Sequence, residues 1–192
     1  YLSMVYAAYA LYNLSYKEAN KAAITEAGAI QLLVALLCEA KGLYPTVVVR
    51  LAIGLHNLAQ DTEGRAAVIR ASAIPPLVAL LSGGPESEAA EEAALALSNL
   101  ASDDEGEAAV TEAGAIPPLV ALLSGGPESE AAQRAAGALR NLTSSDANKA
   151  AIIRAGAIPL LMALLSGGRE SKTASEAAIV LANLACDDEA ST

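Results

Sequence analysis

The chain has no tryptophan and no phenylalanine among its 192 residues, and aromatic residues make up only 3% of it. A core of that composition is filled by small and aliphatic side chains, which let helices approach closely. Cysteine is scarce. Cys38 and Cys186 show neither zinc-ligand spacing nor a disulfide framework, and they suit a reducing compartment, cytoplasmic or nuclear. The single histidine, His56, has no HExxH, phosphate loop or nucleophile elbow around it, so nothing points to an enzyme or a cofactor. Positive charge is sparse as well. With 12 Lys and Arg against 22 Asp and Glu, the formal net charge is −10, and no basic stripe is present. Most of such a surface repels phosphate, which excludes nucleic acid as a partner. No apolar run reaches the ~20 residues of a membrane span, so no membrane insertion is expected.

What is present is a repeat. Asn13, Asn57, Asn99, Asn141 and Asn183 recur at spacings of 44, 42, 42 and 42 residues, each followed by leucine. Segments such as EAGAIPPLVALLSGGPESEAA from Glu112 and ASAIPPLVALLSGGPESEAA from Ala71 repeat nearly word for word. A third copy, RAGAIPLLMALLSGGRES, starts at Arg154, and a drifted one starts at Glu26. A period of this size is the mark of a solenoid whose units bury apolar faces only against their neighbours. Full units fall at 17–60, 61–102, 103–144 and 145–186. Residues 1–16 read as the last helix of a preceding unit and 187–192 as the start of a further one. The chain thus reads as a single repeat array, cut from a longer protein.

Each unit reads as three helices. The first ends at a residue suited to the left-handed conformation, Gly28, Gly114 or Gly156, with Ser72 as a less suitable occupant. The second starts around Pro75, Pro117 or Pro159, where a missing N–H is harmless, and carries a helical apolar stripe. SGG segments break the second helix from the third, and Ser87, Ser129 and Ser171 are placed to cap the third. Val47–Val49 align inside a third helix and are read as helical despite their β-branching. The acidic runs Asp103–Asp104–Glu105 and Asp187–Asp188–Glu189 cap and complement first helices. They lack the ligand spacing of a calcium loop, so no metal site is implied.

With EAGAIPPLVALLSGG and ALSNLA in hand, the whole chain resembles the armadillo repeat family. That resemblance implies an all-α, right-handed superhelical solenoid whose third helices line a concave groove holding extended segments of partner proteins. Carried over, the groove asparagines are Asn13, Asn57, Asn99, Asn141 and Asn183. Four residues earlier, where nuclear-import members usually carry Trp, stand Tyr9, Ile53, Leu95, Gly137 and Ile179. Seven residues earlier stand Tyr6, Arg50, Glu92, Arg134 and Glu176. Recognition of basic import signals needs aromatic walls and uniform acidity, and here the charge alternates.

An Asn amide can bond both N–H and C=O of a passing backbone. Helices pack roughly 8–10 Å apart and an extended chain rises about 3.3 Å per residue, so the ladder meets a ligand backbone every two or three residues. Selectivity then falls to Arg50, Glu92, Arg134, Glu176 and the tyrosines. The expected function is a non-catalytic interaction scaffold that binds an extended protein segment. The alternative is a structural spacer in which each Asn only bridges neighbouring helices. Further pairs of readings stay open. Tyr9, Tyr12 and Tyr16 form a pocket for Arg, Lys or Pro side chains, or they pack against an upstream repeat. Leu43 and Tyr44, in the insertion EAKGLYP, anchor a partner or fold back on their own repeat. Gly137 admits a ligand, or it admits a neighbouring helix.

Overall fold

The computed structural model describes residues 2–40, 44–168 and 170–186, the Met4 side chain excepted. The further repeat expected at 187–192, the second acidic run and Leu43 lie outside the described residues. Among the described residues there are helices and turns and no strand. The α-helices are α1 (Leu2–Ser15), α2 (Glu18–Glu26), α3 (Ala29–Ala40), α4 (Pro45–Leu58), α5 (Thr62–Arg70), α6 (Ile74–Leu80), α7 (Glu88–Leu100), α8 (Asp104–Glu112), α9 (Ile116–Leu122), α10 (Glu130–Asn141), α11 (Asp146–Arg154), α12 (Ala157–Leu164) and α13 (Lys172–Ala185). Short 3-10 turns extend α6, α9, α10 and α12. Val47–Val49 are indeed helical, inside α4.

Local chemistry explains the breaks. First and second helices meet at 83–87°, across Gly28, Gly114 and Gly156 at φ +70, +75 and +81°. Ser72 takes the same turn at φ +58°, a conformation that costs a side-chain-bearing residue about 1–2 kcal/mol. Ser87, Ser129 and Ser171 each accept a hydrogen bond from the backbone N–H three residues on, starting α7, α10 and α13. Asp61 and Asp103 do the same for α5 and α8.

The third helices α1, α4, α7, α10 and α13 pack in series, each against the next. Their facing positions are small: Ala90, Ala93, Ala94 and Ala96 on α7, then Ala132, Ala135, Ala136 and Ala138 on α10, all fully buried. Leucines fill the layer between third and second helices, with Leu51, Leu55, Leu77, Leu97, Leu119 and Leu139 at 0% exposure. Each such side chain contributes about 1.5–3 kcal/mol by leaving water. No described helix is long and apolar enough to cross a membrane.

A second register of contacts ties the first helices to the repeat junctions. The fifth residue of each unit is the tie. Lys21 Nζ donates to Gln60 Oε1 at 3.0 Å, and Arg65 Nε to Asp103 Oδ2 at 2.8 Å. Glu107 accepts from Asn148 Nδ2 at 2.8 Å and from the Ser144 hydroxyl. Lys149 Nζ donates to the Cys186 carbonyl at 3.2 Å. Tyr44 is half-buried and packs on the core, so that part of the insertion folds back on its own repeat.

Candidate functional site

The asparagine ladder runs along the third-helix layer near the C-terminal ends of its helices. Each of the last four amides donates Nδ2–H to the preceding repeat. Asn57 reaches Ser15 Oγ at 3.0 Å, and Asn99 the His56 carbonyl at 3.4 Å. Asn141 reaches the Ser98 carbonyl at 2.8 Å, and Asn183 reaches Thr143 Oγ1 at 2.7 Å. The bridging role that sequence left as an alternative is therefore built into the fold. At Asn57, Asn99 and Asn183 the bridge is a single hydrogen bond, whereas Asn141 Nδ2 also lies 3.5 Å from Ser98 Oγ. Among the described residues nothing donates to Oδ1 of Asn99 or Asn183, whereas Asn141 Oδ1 receives two long contacts of 3.4 Å from Arg140. Asn99, Asn141 and Asn183 are partly exposed and Asn13 is exposed. Asn57, at 6% exposure, is nearly closed to solvent.

The charges seven residues before each asparagine meet a second set that the sequence reading missed: the residues directly before the asparagines. Glu92 Oε2 lies 3.4 Å from His56 Nδ1. Glu176 accepts from Arg140 Nη1 at 3.0 and 3.1 Å. Arg50 lies over Tyr12, with the guanidinium carbon 5.0 Å from the ring centre. The corresponding neighbour of Arg134 is Ser98, which carries no charge, and Arg134 instead makes a 3.5 Å pair with Glu130 on its own helix. The signal was available in the repeat register. Residues 36 apart on successive third helices face each other, or 38 across the two-residue insertion, so a groove charge faces the residue preceding the previous asparagine.

At the tyrosine end the structure bears on the ligand-pocket reading. Arg50 sits 4.0 Å above the Tyr9 ring as well as beside Tyr12. Tyr12 meets Tyr16 edge-on at 5.0 Å, and their hydroxyls are 3.0 Å apart. The aromatic surface expected for a ligand cation is thus occupied by a cation of the chain itself, and Tyr6 stands apart, exposed. The hydrogen bond with Tyr12, aided by partial burial, pushes the Tyr16 phenol above its ordinary pKa.

At the N-terminal ends of α7 and α10, Glu86, Glu88, Glu91, Glu128 and Glu130 line a cleft of about 430 Å³. Carboxylates there complement helix N-termini. Burial, with Glu92 as the next cause, pushes the Glu91 carboxyl above its ordinary value, and Arg134 opposes this. Asp103 is shifted the other way: the Gly106 N–H it caps, and then Arg65, hold its carboxyl below the usual range against the effect of burial. Among the described residues no group of three or more His, Cys, Asp or Glu is placed to hold a metal ion. Cys38 and Cys186 are free thiols.

Gly137 is less ambiguous than its sequence position suggested. A Cβ built there would meet only Ser98 Oγ, at an ordinary 3.7 Å, so helix packing does not require the glycine.

The armadillo/beta-catenin-like repeat profile matches three consecutive stretches, 61–102, 103–144 and 145–186. The chain belongs to the armadillo repeat family. Its fold is that family's right-handed superhelical solenoid, as solved structures also show. An engineered protein from a structural genomics consortium is 36% identical, covering 93% of this chain and 73% of that one, with a TM-score of 0.82. A designed armadillo repeat protein in complex with the peptide (KR)4 is 31% identical, covering 98% and 83%, with a TM-score of 0.82. A computationally designed armadillo repeat protein for modular peptide recognition is 28% identical, covering 94% and 80%, with a TM-score of 0.80. No curated protein matches the chain. The armadillo fold is in general a non-catalytic platform for protein interaction, and no enzyme family is indicated.

Proposed function

We propose that this armadillo array is a scaffold that holds an extended segment of a partner protein along the concave face of α4, α7, α10 and α13, by way of Asn57, Asn99, Asn141 and Asn183, with Asn13 at the end of the row. The carrying observation is the half-used amide. Each Nδ2 is tethered to the preceding repeat, which fixes the orientation of the side chain, while at Asn99 and Asn183 a second N–H and the carbonyl oxygen remain for a ligand backbone. An amide held in place before binding loses little rotamer entropy on binding. The two designed relatives named for peptide binding or recognition support the same use of the fold.

One observation favours the spacer reading at one rung. Asn57 is nearly closed to solvent and satisfied by Ser15, so it bridges more than it presents. The experiment that separates the readings selects ten-residue peptides from a random display library on the intact chain and measures the affinity of the tightest. Asn99→Ala with Asn141→Ala is expected to weaken binding by at least tenfold. It also removes two inter-repeat bonds, each worth about 1 kcal/mol of stability. Arg70→Ala, an exposed change on α5, serves as the control and should leave affinity unchanged. Unaltered affinity in a folded double variant assigns the ladder to bridging alone.

A further inference from the structure

The four groove charges differ in how they are compensated. Glu92 faces His56, Glu176 faces Arg140, and Arg134 pairs with Glu130. Arg50 has no carboxylate within ion-pair distance among the described residues, and its buried Nε, like that of Arg134, lacks any hydrogen-bond partner. What it has instead is Tyr9 and Tyr12 against its guanidinium. Stacking on aromatic rings holds a guanidinium in position without cancelling its charge, and it leaves the in-plane N–H fork free for a planar anion. Beside the fork is an open cavity of about 300 Å³, lined by Tyr12, Thr46, Val49, Arg50, Ile53 and Glu88. That space takes a side chain. A buried donor with no partner is costly, and an incoming acceptor recovers the cost.

We propose that Arg50, on its Tyr9–Tyr12 platform, is a carboxylate subsite that receives an Asp or Glu side chain of the bound segment at the N-terminal end of the groove. The proposal rests on the peptide-scaffold reading and adds its charge preference there. Glu88 on the cavity wall sets the limit. A carboxylate brings a single negative charge past it, whereas a phosphate brings nearly two and is disfavoured. Glu92 is engaged by His56 and does not compete for the fork.

The test follows the Arg50 Nε–H resonance by NMR while the intact chain is titrated with capped octapeptides of alternating Glu-Ala, Gln-Ala, Lys-Ala and phosphoserine-Ala. Expected is a saturable shift with Glu-Ala and none with Gln-Ala or Lys-Ala. Arg50→Met is expected to weaken Glu-Ala binding about tenfold, and Glu88→Gln to strengthen it. An unmoved Arg50 resonance with Glu-Ala, an equal response to Gln-Ala, or tighter binding of the phosphoserine peptide overturns the carboxylate subsite. The side-chain amides of Asn99 and Asn141, read in the same spectra, separate the two layers of inference. If they respond while Arg50 stays silent, the subsite fails and the groove stands. If Arg50 responds while they stay silent, the groove reading fails and the subsite stands.

Discussion

At the scale of single residues, the polar groups of the third-helix layer do two jobs at once, and the balance can be shifted one group at a time. Glu91 is a useful probe because its carboxyl is pushed up by burial and by neighbouring carboxylates. A raised folded-state pKa means that ionisation weakens the fold. The penalty is absent below the ordinary glutamate pKa of about 4.3 and grows as pH rises through the folded-state value. Glu91→Gln is therefore expected to raise the thermal midpoint at pH 7 and to leave it nearly unchanged at pH 3, as calorimetry at the two pH values would show. Asp103 has the opposite sign: its lowered pKa gives stability that is present above the ordinary aspartate pKa and is lost as pH falls through the folded value. Gly137 tests the groove directly. With only Ser98 Oγ near a new Cβ, Gly137→Ala is expected to gain about 1 kcal/mol in urea melts from helix propensity. If the ligand backbone passes close to it, affinity for the selected peptide falls at the same time. The sequence showed these residues and their register. It did not show their partners, because Glu92 and Glu176 find His56 and Arg140 only through the stacking of successive third helices.

At the scale of helices, most boundaries were legible: serine caps, prolines in first turns and left-handed glycines all act through neighbours in the chain. The close approach of first helices to third helices was not legible, because it depends on tertiary packing. Gly64 and Gly106 lie in the first turns of α5 and α8, where a Cβ would fall 1.8 Å from the Leu58 carbonyl oxygen and 1.7 Å from that of Leu100. Helix propensity alone argues that Gly106→Ala should gain about 1 kcal/mol. The clash is with backbone, which has little room to give, and overpacking of this kind costs about 1–3 kcal/mol. A net loss of stability, on the order of 1–2 kcal/mol in urea denaturation, is expected for Gly106→Ala; a gain would mean that α8 can move away from the end of α7 at little cost. The partner of the tyrosine-rich α1 was not legible for a related reason. The spacing of α1 showed an aromatic face, but the residue that fills it, Arg50, is supplied by α4.

For the molecule as a whole, the order of the array comes from three parallel registers: leucine and alanine layers in the core, amide tethers between third helices, and fifth-residue ties at the junctions. The core and the period were readable from the 42-residue repeat. The ties were not, because the shared position holds lysine at 21 and 149, arginine at 65 and an acid at Glu107, each with a different partner. The formal net charge of −10 leaves the partner's identity open. The most direct measurement of the central claim is amide hydrogen exchange on the intact chain with and without a saturating display-selected peptide. If the peptide lies along the ladder, added protection is expected along α4, α7, α10 and α13, with α5, α8 and α11 unchanged. Protection confined to the first helices, or spread evenly over all three layers, would contradict a peptide groove on the third helices.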